Sequence, residues 1–336
     1  MRRYLLYSFL ALVALLGGAF WYAHKPYLSP AEFAPQGIVV FAGAPAAAPD
    51  LPETITVVTY NIGYASGKTN NLGVKMSRAE VETNLKAIAA GLKQLNPDVI
   101  GMQEVDFRSA RTHDIDQFRY LADALQMPYG AYVMTWNLTY LPWPYWPPSR
   151  HYGHIVSGQA VLSRFPLSAQ QATVLPKPAT NPFWYNWFYL ERVLQKLTLS
   201  WNGGKSSLWN VHLDAFSGKT RLLQAEILSK QIQADADPLK FAIGDFNSAS
   251  LIKAGVTPNE SDKDDIGESL ALLEKETGMK KDPPDPSRLS QPSWDPIKKI
   301  DQLFASPDWE LTESGVLAGV TGSDHLAVWG KYRRRR

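Results

Sequence analysis

Polar side chains follow several short apolar runs in this sequence, at the places where predicted strands end. Asn61, Glu104, Asp245 and Asn247 each come within a few residues of such a run. A carboxylate at the end of a buried strand must be paired, hydrogen-bonded or metal-bound, because burying its charge alone is costly. Mg²⁺ takes oxygen ligands from carboxylates, water and substrate phosphate. These residues are therefore candidates for binding a hard cation or a phosphate or for orienting a water, although each is also compatible with an ordinary turn and none is decisive alone.

Histidines near carboxylates form a second kind of signal. Asp324 and His325 precede a predicted closing strand, and Asp301 lies in the strand before it. His212 ends another strand, and Glu191 stands just ahead of the strand that precedes it. A histidine with a carboxylate partner forms an acid–base pair that titrates near neutral pH. A lone histidine is more often structural, so these pairs gain weight only in combination.

The elements that would position these side chains alternate between strands and helices from residue 54 onward. The predicted strands are 54–60, 99–102, 161–163, 193–201, 208–212, 241–243, 300–304 and 327–330. The predicted helices are 78–94, 116–125 and 220–234. This many strands, with helical and hairpin connections, predict an α/β domain over residues 54–332, in which sheets pack together under helices. The basic tail 333–336 is predicted to be solvated.

The composition describes a globular chain with an unusual supply of aromatic residues. Its 336 residues include eleven Trp, fifteen Tyr and thirteen Phe, with 45% apolar and 20% charged residues. The formal net charge of +2 does not indicate a nucleic-acid-binding protein. The sequence has no cysteine, which excludes disulfides and thiolate metal ligands within it.

The N-terminal segment is long and apolar enough to cross a membrane. Arg2 and Arg3 precede the uncharged stretch 4–22, which as a helix would rise about 28 Å, close to the hydrocarbon thickness of a bilayer. Aromatic residues at 20–22 favour an uncleaved anchor over residues 1–24, with a cleaved signal peptide as the alternative. The positive-inside rule keeps the two arginines in the cytoplasm. The protein is therefore predicted to cross the inner membrane once, with its domain in the periplasm.

The segment 25–53 is rich in proline and alanine and is predicted to be a semi-rigid tether. The alternative is that part of it packs on the domain. Residues 39–41 could form a short edge strand there.

In this order the polar clusters resemble the endonuclease/exonuclease/phosphatase superfamily, which includes deoxyribonucleases and neutral sphingomyelinases. The resemblance covers residues 54–332. It implies a four-layer α/β sandwich, two packed mixed β-sheets flanked by helices, and the hydrolysis of a phosphoester by in-line attack of water. It also implies a bound Mg²⁺, with Mn²⁺ as an alternative, and the implied metal-site residues are Glu104, Asn61 and Asp324.

The resemblance further implies a set of catalytic side chains. An Asp–Asn pair would handle the attacking water and the phosphate, and two carboxylates would each orient a histidine. In this sequence the implied residues are Asp245 with Asn247, His325 with Asp301, and His212 with Glu191.

Two aromatic inserts, 136–152 and 181–189, suggest what the substrate is. Their prolines disfavour central strands, so loops or edge hairpins are predicted. Trp and Tyr favour the membrane interface, which suggests bilayer contact and a lipid head group as substrate. A satellite core under a long loop is the alternative. The candidate membrane contacts are Trp143, Trp146, Trp184 and Trp187.

A nuclease that acts on DNA or RNA is the alternative function. It needs basic side chains along the cleft, because the phosphate backbone supplies most of nucleic-acid affinity. The sequence shows no dense basic cluster. The candidate residues are Arg108, Arg111, Arg119, Arg150 and Arg164.

Overall fold

Two β-sheets pack face to face in this protein, and helices cover both outer faces. The computed structural model describes residues 2–29 and 37–335. Residues 30–36 of the predicted tether, together with Met1 and Arg336, lie outside the described residues. The predicted four-layer α/β architecture is confirmed.

The first half of the described chain contains the anchor candidate and most of the first sheet. Its elements are α1 (Arg2–His24), β1 (Ile38–Val40), β2 (Thr54–Asn61), α2 (Arg78–Leu95), β3 (Val99–Asp106), α3 (Gln117–Leu125), β4 (Tyr129–Leu141), β5 (Gly153–Ser163) and β6 (Leu167–Val174). Short 3-10 turns lie at Gly63–Ala65, Gly67–Thr69, Ala110–Thr112 and Pro148–Arg150.

The second half supplies most of the second sheet and returns to the first. Its elements are α4 (Phe183–Phe188), β7 (Val193–Trp201), β8 (Gly204–His212), α5 (Gly218–Ala234), β9 (Lys240–Asp245), β10 (Leu251–Ile252), α6 (Glu260–Lys263), α7 (Glu268–Thr277), β11 (Lys280–Lys281), β12 (Lys298–Lys299), β13 (Asp301–Ala305), β14 (Trp309–Val316) and β15 (Val328–Arg334). A 3-10 turn lies at Pro286–Arg288.

The strand order explains where the core lies. The first sheet has the order β1-β4-β5-β3-β2-β15-β14, and the second has the order β11-β13-β9-β8-β7-β6. Val57 and Val99 of the first sheet pack with Phe241, Ile243 and Leu303 of the second, and all five side chains are fully buried. Apolar clusters under α2 and α3 on one side, and under α5 and α7 on the other, complete the four layers.

Predicted elements with a continuous apolar run are present, and their ends differ by a few residues. The helix at Arg78 begins where expected, because Ser77 caps it: the Ser77 hydroxyl accepts from the Glu80 N–H, and the Glu80 carboxylate accepts from the Ser77 N–H. The edge strand predicted at 39–41 is present as β1, which pairs with β4. The sequence pattern does not predict β6, since this edge strand is largely exposed and polar.

The two aromatic inserts have different structures. In the first, Trp136 lies within β4, and the proline-rich residues 142–148 form the tip of the β4–β5 hairpin. The second insert contains α4, so the loop or hairpin predicted there is wrong. Pro182 precedes α4, where its missing N–H is tolerated because the first helical turn has no intrahelical acceptors for its amides.

Candidate active site

Two parallel strand pairs bring the predicted site residues to one edge of the sandwich. β2 runs parallel to β3, with Asn61 opposite Gln103, and β8 runs parallel to β9, with His212 opposite Asp245. β13 is antiparallel to β9 and places Asp301 opposite Asp245. Because the carboxyl ends of parallel strands meet at one edge of a sheet, side chains far apart in the chain gather here.

Glu104 lies at an irregularity of β3. Its φ is +53°, in the left-handed region, and the pairing of β3 with β5 shifts between Met102 and Val105. Asn70, from the loop after β2, donates to Glu104 Oε2 at 2.9 Å and to Asp324 Oδ1 at 3.0 Å. Burial, and next the negative charge of Asp324, raise the pKa of the Glu104 carboxyl. The two carboxylates therefore share one amide group while they repel each other.

The amide of Asn61 directs its nitrogen toward the acidic residues. Nδ2 donates to Asp245 Oδ2 at 3.0 Å and to Glu104 Oε1 at 3.3 Å. The amide oxygen accepts from the Gly63 N–H at 3.0 Å. In this orientation the nitrogen of Asn61 holds two carboxylates by hydrogen bonds, while its oxygen accepts from the backbone, and the predicted role of Asn61 at a metal site stays a prediction.

His325 is surrounded by carboxylates in a buried cluster. Its Nδ1 lies 2.9 Å from Asp301 Oδ2, and its Nε2 lies 3.8 Å from Asp245 Oδ2. Burial by itself lowers the pKa of His325, but the charges of Asp301, Asp245 and Asp324 outweigh it and raise the pKa to about 10. Burial, and next the charge of Asp301, raise the pKa of Asp245. Among these carboxylates, His325 carries a positive charge at neutral pH.

His212 has the opposite electrostatic character. Its Nε2 lies 3.6 Å from Asp245 Oδ2 and 4.0 Å from Glu104 Oε1. Burial, and next the positive charges of Arg192 and His325, hold the pKa of His212 well below its usual range. The site thus contains one charged and one neutral imidazole near the same aspartate. Because the pKa values of the two histidines are shifted in opposite directions, the two rings can take different proton-transfer roles.

Asn247 is fixed beside Asp245 by the backbone. Its N–H donates to Asp245 Oδ1 at 2.9 Å, and its side-chain amide donates to the Leu213 carbonyl at 3.0 Å. Its φ of +50° belongs to the left-handed region that asparagine tolerates better than most residues. The Gly-Asp-x-Asn pattern therefore folds as a tight turn that still faces the site.

Glu191 does not contact His212, so the pair expected from the sequence is corrected. The Glu191 side chain is 43% exposed, and its carboxylate lies 2.7 Å from Lys177 Nζ. The next residue, Arg192, takes the inward position and is buried. Successive side chains of an extended segment point to opposite sides. The inward position is therefore taken by the Arg192 guanidinium, one residue after the Glu191 carboxylate that was predicted there.

Arg192 and Asn70 are site residues that the sequence reasoning missed. Arg192 Nη2 donates to the Tyr189 hydroxyl oxygen at 3.3 Å, and that hydroxyl donates to Asp214 Oδ2 at 3.0 Å. Arg192 Nε and Nη1 are buried and have no hydrogen-bond partner within the described residues. Leaving a buried donor unpaired is costly, so a ligand that supplies acceptors would stabilise this arrangement. One sequence feature could have indicated Arg192: it directly precedes β7, the strand that pairs with β8, and β8 ends at His212.

A cavity of about 380 Å³ joins these side chains to the surface. Its polar lining includes Glu104, Arg192, His212, Asp245, Asn247, Asp324 and His325. Its aromatic lining comprises Tyr64, Trp136, Trp143, Tyr145, Tyr152, Tyr185, Phe188, Tyr189 and Phe216. A strongly polar floor under an aromatic wall is the usual composition of a ligand site, in which a few polar groups fix orientation.

The donor set fits a hard divalent cation. Glu104, Asp245 and Asp324 offer carboxylate oxygens within one cavity. Asp301 Oδ1 is a buried oxygen without a hydrogen-bond partner in the described parts of the chain. Ligand atoms of Asp245, Asp301 and His325 also lie within 4.8 Å of one another, but the positive charge on His325 disfavours a cation within that group. Mg²⁺ and Mn²⁺ favour oxygen-rich sites, and a bound cation would offset the burial and, next, the mutual repulsion that raise the pKa values of Glu104 and Asp245.

Comparison with known proteins identifies the family and the fold. Residues 58–325 match the model of the Endonuclease/Exonuclease/phosphatase family. A family protein from Beutenbergia cavernae DSM 12333 superposes with a TM-score of 0.59 at 22% identity, covering 84% of this chain and 72% of that one. The mannosyl-6-phosphatase Bt3783 of Bacteroides thetaiotaomicron VPI-5482 gives 0.56 at 17% identity, covering 83% and 99%. Caenorhabditis elegans TDP2 gives 0.51 at 17% identity, covering 83% and 74%.

A search of curated proteins found no match to this chain. At these identities the solved structures support the shared fold alone, and the family model carries the assignment because it spans most of the chain. Members of that family are generally dependent on divalent metal ions and hydrolyse phosphoester bonds. The chain belongs to the Endonuclease/Exonuclease/phosphatase family and is an enzyme that hydrolyses phosphoester bonds.

Proposed function

We propose that this enzyme hydrolyses a phosphodiester in the head group of a membrane lipid, as a sphingomyelinase does, with Mg²⁺ or Mn²⁺ as its cation. Water attacks the phosphorus in line with the leaving oxygen. The observation that carries the proposal is the position of the acidic cluster at the floor of an aromatic cavity, whose wall packs on the apolar helix α1.

The acidic side of the floor prepares the water and the phosphate. Asp245 orients the attacking water and accepts its proton, and Asn247 stands beside it to position the water or a phosphoryl oxygen. Glu104 and Asp324, which share the amide of Asn70, are the residues proposed to hold the cation. When bound, a divalent cation supplies charge stabilisation for the phosphoryl and leaving oxygens.

The basic side of the floor meets the developing negative charge. Protonated His325, held by Asp301, donates a hydrogen bond to a phosphoryl oxygen and has a proton for the leaving oxygen. Neutral His212 donates a hydrogen bond without adding charge. The Arg192 guanidinium offers, on the same cavity wall, donors that have no partner among the residues the structure describes. These fixed donors favour a reaction in which positioning and charge stabilisation dominate.

The exposed aromatic side chains favour a lipid substrate. Trp146, Trp184 and Trp187 are exposed, although large rings are normally buried in a soluble protein. Trp143 differs from the expectation, because it packs on the Leu138 cluster and lines the cavity. The three exposed indoles suit a bilayer interface, where each ring is half buried and half wet.

The N-terminal helix supports a membrane location. α1 is long and apolar enough to cross a membrane, with a mean hydropathy of 1.8 over its best window, and this window is not buried in the protein. A signal sequence has the same composition. With Arg2 and Arg3 on the cytoplasmic side, an uncleaved α1 would place the catalytic domain in the periplasm at the inner membrane.

The nuclease alternative finds less support in the positions of the basic residues. The Arg111 side chain is 8% exposed and pairs with Asp106 at 2.8 Å, and its guanidinium lies 3.4 Å from the Tyr64 ring centroid. Arg164 donates to Asn96 Oδ1 at 2.7 Å, away from the cavity lining. A nucleic-acid backbone would need several basic side chains along the cleft.

A substrate panel tests the proposal. The purified full chain in detergent, with Mg²⁺ or Mn²⁺, is given sphingomyelin, phosphoinositides, plasmid DNA, RNA, a sugar phosphate and a bis-aryl phosphate. The proposal predicts hydrolysis of a phospholipid and of the bis-aryl phosphate, with loss of both activities in EDTA. Hydrolysis of the nucleic acids or the sugar phosphate alone would contradict it.

A further inference from the structure

The end of α1 is fastened to the catalytic domain by the residues that follow it. Asn137 of β4 accepts from the N–H groups of Tyr27 and Leu28 at 2.9 and 3.0 Å and donates to the Leu28 carbonyl at 2.9 Å. Thr139 donates to the Lys25 carbonyl twice, from its hydroxyl and its N–H, each at 2.8 Å. We call residues 25–28 with these two partners the clamp. It fixes the direction in which the chain leaves α1.

Ring contacts strengthen the clamp on both sides. Tyr27 stacks on His154 with ring centroids 4.1 Å apart and planes 9° apart, and His154 Nε2 lies 2.6 Å from Asp114 Oδ1. Phe20, near the end of α1, packs on Trp187 and Phe188 of α4, with centroid distances of 4.5 and 5.3 Å. The base of α1 therefore touches α4 directly, and the tether predicted from residue 25 is docked at its beginning.

The inner side of α4 belongs to the wall of the active-site cavity. Tyr185 and Phe188 line that cavity, and the Phe188 carbonyl accepts from Trp136 Nε1 at 2.8 Å. The outer residues of α4 and the neighbouring hairpin tip carry exposed rings. We call this set the collar, and its members are Tyr145, Trp146, Phe183, Trp184 and Trp187.

We propose that the clamp holds the catalytic domain at a fixed orientation on the bilayer that α1 crosses, with the collar seated in the interfacial layer of that same bilayer. The cavity then opens toward the head groups of lipids beside α1. The identity of the substrate rests on the function proposed above, whereas the seating of the collar does not.

The contact between α4 and α1 indicates that the surface covering the collar is the bilayer that α1 crosses. Trp21 and Tyr22 of α1 are exposed at the level of Phe20, where an aromatic belt would meet the interface. Trp187 packs on Phe20 and so lies at that same level. Because the clamp and the contact between Phe20 and Trp187 hold α4 against the end of α1, the collar must stay at the bilayer surface. Its Trp and Tyr rings have the half-apolar, half-polar character that an interface favours.

The absence of cysteine from the sequence permits a direct test in the full chain reconstituted into phosphatidylcholine vesicles. Single variants Trp146→Cys and Trp184→Cys carry a spin label, and the accessibility of the label to oxygen and to a water-soluble nickel chelate reports its depth. Asn202→Cys is the matched control, because Asn202 lies beyond the far end of β7 from α4. The proposal predicts interfacial depth for both collar labels and full water exposure for the control.

A second variant distinguishes the orientation of the domain on the bilayer from the hydrolytic activity of the site. Asn137→Ala removes the side chain that holds Tyr27 and Leu28, and Asn137 does not line the cavity. We expect lipid hydrolysis in the vesicle to fall by roughly tenfold or more, because a fixed geometry raises the effective concentration of substrate. Hydrolysis of the soluble bis-aryl phosphate should stay unchanged.

Three results would overturn the inference. Collar labels as accessible to nickel as the control would show that the collar faces water. Cross-linking of the collar cysteines between two chains would show that a second copy covers it. Equal loss of both activities in Asn137→Ala would show damage to the domain instead of altered seating. Since the depth measurement needs no hydrolysis, it remains decisive even if the proposed substrate is wrong.

Discussion

The His325 imidazole and the Asp301 carboxylate lie 2.9 Å apart in a buried site, and Asp245 approaches the other ring nitrogen at 3.8 Å. These charges, together with Asp324, raise the pKa of His325 to about 10 against the opposing effect of burial. The pair therefore fixes both the orientation and the charge of the imidazole before any ligand binds.

A pH-dependent stability follows for the protein in EDTA. The pKa of His325 is higher in the folded protein than its usual value near 6.5, so folding favours the protonated ring. This stabilisation is complete below about pH 6.5 and is lost as the pH rises through about 10. Urea unfolding at several pH values should show a lower unfolding free energy at the alkaline end. In Asp301→Asn the decline over this window should be smaller, and an equal decline in both proteins would contradict the assignment.

Asn70 should control metal affinity although it was not visible as a site residue in the sequence. Asn70→Ala removes the amide that bridges Glu104 and Asp324. Loss of such an orienting partner typically weakens metal binding by about 10- to 100-fold. Calorimetric titration with Mn²⁺ measures the change, and Asn202→Ala, an exposed asparagine remote from the cavity, is the control. Equal affinity in Asn70→Ala and the wild type would contradict this role.

Neighbouring residues Glu191 and Arg192 should differ sharply in importance. Arg192→Lys keeps the charge but removes the planar guanidinium, whose Nε and Nη1 have no partner in the described part of the chain. The value of kcat/KM should therefore fall by about 10²-fold, as for loss of a preorganised transition-state donor. Glu191→Gln breaks only the exposed contact with Lys177 and should change kcat/KM by less than about fivefold. Steady-state kinetics on the bis-aryl phosphate compares them, and the reverse ranking would restore the pairing of Glu191 with His212.

Asp245→Asn should remove the proposed base while preserving the fold. The variant keeps the shape of the side chain and can still hold the turn to Asn247. A general base usually contributes between about 10² and 10⁴ in rate, so kcat should fall within that range while the melting temperature stays close to the wild type. A kcat within threefold, on the order of experimental spread for a residue without a chemical role, would exclude Asp245 as the base.

The sequence predicted the parts of the fold that carry continuous apolar runs. β2, β3, β8 and β9 are buried along most of their length, so each carries an apolar segment that marks it as a strand, and the polar residues at their carboxyl ends mark the active site. Edge strands such as β6 and β14 lack this signal, because much of their surface is exposed. The short helix α4 lacks it too, since six aromatic and polar residues span fewer than two turns.

The missed site residues have equally physical causes. Glu191 and Arg192 are adjacent, and only the structure shows which one faces inward, because extended chain alternates its sides. Asn70 lies in a loop built from 3-10 turns, where no periodic pattern indicates the direction of a side chain. The clamp at Asn137 joins residues more than a hundred positions apart, so no local pattern encodes it.

The central claim is that residues from both sheets surround a divalent cation at the floor of the cavity. A crystal of the protein grown with Mn²⁺ and measured near the manganese absorption edge tests it directly. We expect an anomalous peak within bonding distance of the carboxylates of Glu104 and Asp324, beside Asp245. Ordered density for these side chains with no anomalous peak among them would contradict the account.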